Sequence, residues 1–175
     1  MMKKKNKQLI IPFAGMKEGK HQLEFEIDST FFEQFEFSII KKADFKVFID
    51  FEKKPNLLNL VFKLDGSIYS KCDRCNDELA FRANGREELI VKFGDKSFYE
   101  TDEIKVISPS EYELDLTKEV YEYIHLLLPT KLVHEKKSDC NQKVIEKLNQ
   151  LNTKTENTET DPRWSVLSKL KDKSK

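Results

Sequence analysis

The sequence predicts an α+β fold: an antiparallel, Phe-rich β-sheet or open barrel in the first two thirds, followed by two or three helices in the C-terminal third. Up to Ile107, apolar residues mostly alternate with polar ones, which is the period of half-buried strands. From Asp115 onward they recur at helical spacing. The chain has 13 Phe but only five Gly and five Pro, which indicates a core built from aromatic strands.

The clearest strand covers residues 43–52. Its apolar residues occupy odd positions and therefore share one face: Ala43, Phe45, Val47, Ile49 and Phe51. We expect further strands at residues 9–13, 21–27 and 58–64, an extended run at 67–71, and an edge strand at 104–107. Leu79 and Phe81 on one side of Asn84-Gly85, and Leu89, Val91 and Phe93 on the other, predict a further strand pair. Asp65-Gly66 and Asn84-Gly85 have the composition of tight turns. Adjacent strands joined by short turns favour an antiparallel sheet over a parallel α/β fold.

Residues 29–35 are expected to form a helical turn with Asp28 or Ser29 as its cap, and three further helices are expected after residue 115. Asp115 is a candidate cap for the first, which Pro129 ends. We therefore divide the chain into four parts. They are a β-rich body ending in a helix (1–130), a helical segment with Cys140 (131–151), a polar linker (152–160) and a short terminal helix (161–175).

Charge and hydropathy narrow the class of protein. The 31 basic and 31 acidic residues balance, which disfavours a nonspecific, strongly basic nucleic-acid binder. The apolar run at residues 9–14 is short and contains Pro12, unlike a secretory signal, and no segment has the roughly 20 apolar residues of a membrane span. Three Cys residues fit a reducing compartment. We expect a cytoplasmic protein without membrane contact.

Cys72-Asp73-Arg74-Cys75 is the sharpest local feature. Two thiols at this spacing can coordinate one metal ion from a single turn. A structural zinc site needs two further ligands. Cys140 and His134 are available downstream and would fasten the helical part to the sheet. Two other interpretations remain open: a redox pair, which usually lies where a strand meets a helix, and two small buried thiols without a metal.

Several basic and aromatic residues are candidates for RNA or partner contact. Arg74, Arg82 and Arg86 surround the cysteine turn, although the acidic residues among them also fit a solvated face of mixed charge. Arg163 and Trp164 stand behind the polar linker and either dock on the body of the protein or contact a partner.

No catalytic constellation is present in the sequence. It contains neither a Gly-rich phosphate loop nor a His-Glu-x-x-His motif. His21 lies in an alternating strand and His125 on a predicted helix, where structural roles are common. We expect a protein that acts by binding, without a small-molecule substrate.

The order of these motifs resembles the YceD family, the large ribosomal RNA subunit accumulation proteins of bacteria and plastids. The resemblance rests on the 72–75 cysteine turn, the helix between Asp115 and Pro129, and His134-Glu135 with Cys140. It also rests on the segment that begins Asp161-Pro162-Arg163-Trp164.

The resemblance implies a role in the synthesis, processing or stability of large-subunit (23S) ribosomal RNA, without known catalytic activity. It implies ribosomal RNA or a large-subunit ribosomal protein as partner, the alternative function being that of an adaptor for such a protein without RNA contact. Many members carry a second cysteine cluster after the His-Glu segment. This chain has only Cys140 there, so a zinc site requires His134 as fourth ligand.

Overall fold

The computed structural model of the chain describes residues 4–5, 9–94, 101 and 103–151. The strands within these residues are β1 Lys4–Lys5, β2 Ile10–Ile11, β3 Gly19–Ile27, β4 Lys42–Lys53, β5 Leu57–Lys71, β6 Glu78–Phe93, β7 Ile104–Ile107 and β8 Leu114–Asp115. The α-helices are α1 Ser29–Phe32, α2 Thr117–Leu126 and α3 Gln142–Leu151. The chain divides into two compact units, 1–140 and 141–175, and α3 belongs to the second.

The main sheet has the strand order β1-β3-β4-β5-β6-β7. The four long central strands pair antiparallel with their neighbours in sequence, as predicted. At the two edges of the sheet, β1 pairs parallel with β3 and β7 pairs parallel with β6. Of the two predicted forms, the open sheet is the one found. β2 and β8 form a separate antiparallel pair, which brings the segment around Leu9 to the start of α2.

One face of the sheet forms the core. The odd-numbered apolar residues of β4 are buried, and so are Leu58, Leu60, Phe62 and Leu64 of β5. α2 packs on this face, where the Phe62 and Tyr123 rings lie 5.1 Å apart. The Phe-rich core is therefore confirmed, since alternation places every second side chain of a strand on the same side.

Both predicted glycine turns are wrong, because β5 and β6 continue through them. Gly66 lies opposite Phe45, and a Cβ there would come within 2.6 Å of that ring. A Cβ on Gly85 would overlap the side chain of Leu127, just past the end of α2. At both glycines a neighbouring group approaches the strand backbone closely: the Asp44 carbonyl and the Phe45 ring at Gly66, and the Leu127 side chain at Gly85. Neither glycine marks a reversal of the chain.

The predicted helices in the described part are present. Asp28 caps α1 by accepting a hydrogen bond from the Thr30 N–H, and Asp115 accepts one from the Thr117 N–H at the start of α2. α2 ends at Leu126, before Pro129. α3 is the second of the predicted C-terminal helices. The predicted linker and the predicted terminal helix with Arg163 and Trp164 lie outside the described residues. Among the described residues, no helix combines the length and apolar character needed to cross a membrane.

Candidate metal centre

The cysteine turn connects β5 to β6. The Cys72 N–H donates to the Asp77 carbonyl, and the Asn76 N–H donates to the Cys72 carbonyl, so the backbone closes on itself. Asn76 adopts a φ of 63°, a left-handed conformation that Asn tolerates better than most residues. Cys72 and Cys75 are buried at the end of a hairpin between two antiparallel strands. The strand–helix junction typical of a redox pair is not found here.

The other two predicted ligands come from the irregular segment 131–140, which follows α2. His134 is half-buried and Cys140 is buried. The segment lies against the cysteine turn because the main chain of Leu132 hydrogen-bonds with Asp73. The structure thus brings together all four residues named from the sequence as metal ligands: Cys72, Cys75, His134 and Cys140.

The four donor atoms lie within 4.8 Å of one another. His134 Nδ1 lies 3.5 Å from Cys75 Sγ and 3.6 Å from Cys140 Sγ. A tetrahedral zinc with bonds of about 2.3 Å to sulfur and about 2.0 Å to nitrogen separates such atoms by roughly 3.5 Å. The donor set and its spacing therefore fit a four-coordinate zinc ion.

A hydrogen bond to the main chain orients the His134 ring. His134 Nε2 lies 3.3 Å from the Glu78 carbonyl, which can only accept, so Nε2 carries the proton. The unprotonated Nδ1 then faces the three sulfurs. Metal-binding histidines usually hold their second nitrogen in this way.

The thiols differ in their acidity. Burial raises the pKa of the Cys72 thiol, but hydrogen bonds from the backbone of His134, Arg74 and Cys75 outweigh it and lower the pKa to about 6. Burial raises the pKa of Cys140, and the neighbouring Cys75 sulfur adds to this effect. The side chain of Arg74 opposes the increase, because its Nη1 donates to Cys140 Sγ at 3.4 Å. A thiolate is the form that binds a metal, so the turn favours binding at Cys72.

The three predicted contact arginines have different partners. Arg74 points to Cys140, whereas Arg82 pairs with Asp65 at 3.5 Å and Arg86 with Glu88 at 2.8 Å. Sequence reasoning missed the roles of Asp73 and the Glu78 carbonyl. Their partners are 59 and 56 residues away, a separation that carries no periodic signal.

A protein-family model described as "Large ribosomal RNA subunit accumulation protein YceD" matches residues 60–171, well over half of the chain. The matched range includes the four residues of the candidate metal centre and excludes β3 and β4. Neither a curated protein nor a solved structure matches the chain significantly.

Proposed function

This chain belongs to the YceD family of large ribosomal RNA subunit accumulation proteins, and we propose that it promotes the synthesis, processing or stability of 23S ribosomal RNA in the cytoplasm. Family membership ties the chain to ribosome biogenesis and is the observation that carries this proposal. The partner in this proposal is the RNA of the large subunit, a large-subunit ribosomal protein, or both.

In this proposal the protein acts by binding and not by catalysis. The two histidines outside the candidate metal centre have structural surroundings. His21 Nε2 is hydrogen-bonded to the Lys17 carbonyl at 2.8 Å, and His125 Nδ1 to the Tyr121 carbonyl at 2.8 Å. The first contact holds His21 beside its own strand, and the second holds His125 against its own helix. The buried Nε2 of His125 has no hydrogen-bond partner among the described residues.

Deletion of the gene tests the role. We expect the ratio of large-subunit to small-subunit ribosomal RNA to fall, and expression of the intact chain to restore it. An unchanged ratio, with unchanged ribosomal subunit profiles, would contradict the proposal. An adaptor without RNA contact would give the same deletion phenotype, but the purified protein would show no salt-dependent binding of RNA.

The proposal includes a structural zinc ion held by Cys72, Cys75, His134 and Cys140. Four protein ligands leave no open coordination position, which is the arrangement of zinc sites that support folding instead of reaction chemistry. Such an ion would join the β5–β6 turn to the 131–140 segment.

Metal analysis of the purified protein tests the zinc assignment. We expect one zinc ion per chain, and loss of the metal together with a lower unfolding temperature when Cys75 and Cys140 are both replaced by Ser. The assignment is wrong if the intact protein, refolded with excess zinc and then dialysed, retains no stoichiometric metal.

A further inference from the structure

The solvent-facing side of the main sheet carries many charges, and three of its cations lie in ion pairs along the middle of β5 and β6. Lys63 pairs with Asp50 at 2.8 Å, Arg82 with Asp65, and Arg86 with Glu88. Ion pairs of this kind leave little net positive potential over the middle of this face. Arg82 and Arg86, named from the sequence as RNA contacts, belong to this neutralised part.

The end of the sheet next to the cysteine turn is different. A shallow groove of about 690 Å³ lies there, and among its lining residues are three lysines and one glutamate: Lys41, Lys42, Lys71 and Glu78. All three lysines are exposed, and within the described residues none lies in an ion pair. The groove therefore has an excess of positive charge, although the chain as a whole is neutral.

An exposed aromatic ring lies among these lysines. Tyr69 of β5 is directly opposite Lys42 on one side and Ala80 on the other. Ala80 has only a methyl group, so it cannot cover the tyrosine ring, and 48% of Tyr69 is exposed. In the described part of the chain no other aromatic ring is paired with Tyr69. Ile39 lines the same groove and is 74% exposed.

We propose that this surface, which we call the Tyr69 patch and define as Ile39, Lys41, Lys42, Tyr69 and Lys71, binds single-stranded RNA. Its chemistry suits that ligand: ammonium groups contact phosphates, while an uncovered aromatic ring and an apolar neighbour stack on an unpaired base. The inference rests on the proposed function, which makes ribosomal RNA the expected ligand, and it assigns the contact to residues other than the arginines.

The charge distribution makes the groove at the Tyr69 patch a better site for RNA than the larger groove on the same sheet. A larger groove of about 810 Å³ lies toward the other end of the same strands, but its charged residues are Lys20 and three carboxylates, Asp50, Glu52 and Glu88. Those carboxylates would repel a phosphate backbone. A duplex would present its phosphates but keep its bases stacked inside, so Tyr69 would gain nothing from it.

The test measures the affinity of the full chain for a labelled single-stranded fragment of large-subunit ribosomal RNA, by fluorescence anisotropy at several salt concentrations. Replacing Lys41, Lys42 and Lys71 together by Ala should reduce the dependence of log K on log salt by about 2, at roughly 0.7 per lost phosphate contact. Tyr69→Ala should weaken binding about 5- to 150-fold. Tyr69→Phe, which keeps the ring, should change it less than about twofold.

The matched control removes three cations from the neutralised part of the same face: Lys63→Ala, Arg82→Ala and Arg86→Ala in one variant. It should retain most of the affinity and the salt dependence of the wild type. All variants are compared at equal unfolding midpoint, which is expected because the replaced side chains are exposed. If the control weakens binding as much as the patch variant, net charge and not the patch determines affinity, and the inference is wrong.

The remaining outcomes separate this inference from the proposed function. RNA binding that all patch variants retain overturns the inference and leaves the proposed function intact. The inference is also overturned if the wild-type protein binds no RNA, or if the patch is needed only for capture of a ribosomal protein. In both cases the deletion phenotype still decides the proposed function. Binding at the patch without any deletion phenotype supports the inference and contradicts the function.

Discussion

Asp73 and Leu132 form a reciprocal pair of hydrogen bonds across 59 residues of sequence. The Asp73 N–H donates to the Leu132 carbonyl at 2.7 Å, and the Leu132 N–H donates to Asp73 Oδ2 at 2.7 Å. The cysteine turn and the segment that carries His134 and Cys140 are therefore joined by protein contacts as well as by any shared metal. This relationship makes the metal centre partly pre-organised, which leads to the first prediction.

Replacing Asp73 by Ala should destabilise the protein by about 1 kcal/mol, because the Leu132 N–H loses its acceptor at a site that water can partly reach. Zinc affinity should fall as well, since the 131–140 segment is then less ordered before the metal binds. Urea unfolding of the metal-free protein measures the first effect and chelator competition the second. Asp44→Ala, which removes an exposed carboxylate of β4, is the control and should change neither quantity measurably.

His134→Asn should abolish stoichiometric zinc binding, because it removes the only nitrogen donor of the four-residue cluster. His21→Asn is the matched control: that ring binds the Lys17 carbonyl and has no contact with the cluster. Zinc content after dialysis checks both variants. Full zinc content in His134→Asn would show that the fourth ligand is another group.

Arg74→Ala should lower zinc affinity about 10- to 100-fold, the usual effect of losing a partner that hydrogen-bonds to a metal ligand. Three thiolates and one zinc ion carry a net negative charge, and the guanidinium at 3.4 Å from Cys140 Sγ offsets it. Competition with a chromophoric chelator measures the change, with Arg82→Ala as the control. Unchanged zinc affinity combined with weaker RNA binding would instead favour the RNA-contact role predicted from the sequence.

Gly85→Ala should destabilise the protein by no more than about 1 kcal/mol, because the end of the half-buried Leu127 side chain has to move away from the new methyl group. Gly15→Ala is the control, since a Cβ there meets no atom within 4 Å. The midpoint of urea unfolding reports both. The double variant Gly85→Ala/Leu127→Ala, in which the overlapping side chain is shortened, should lose less free energy of unfolding than the two single variants together. Strictly additive losses would argue against the overlap.

Much of the fold follows from local patterns. Alternation in β4 predicted which of Phe45, Asp44 and Val47 face the core, because successive side chains of a strand point to opposite sides. Helical spacing located α2, and Asp28 and Asp115 were recognisable as caps because a cap acts within two residues of its own position. The same local rules wrongly assigned Gly66 and Gly85 to tight turns. A glycine in a turn and a glycine that leaves room for a neighbouring group look the same in the sequence.

By itself, the sequence determined the strand faces, the helices and the identity of the four candidate ligands, since these depend on residue type and on spacing over a few positions. Tertiary structure alone decided that the ligand atoms converge and that Arg74 turns toward Cys140. It also decided that, among the described residues, the lysines beside Tyr69 form no ion pair while Arg82 and Arg86 do. The physical reason is distance along the chain. Such contacts form only when the sheet register and the path after α2 bring residues many positions apart within a few ångströms.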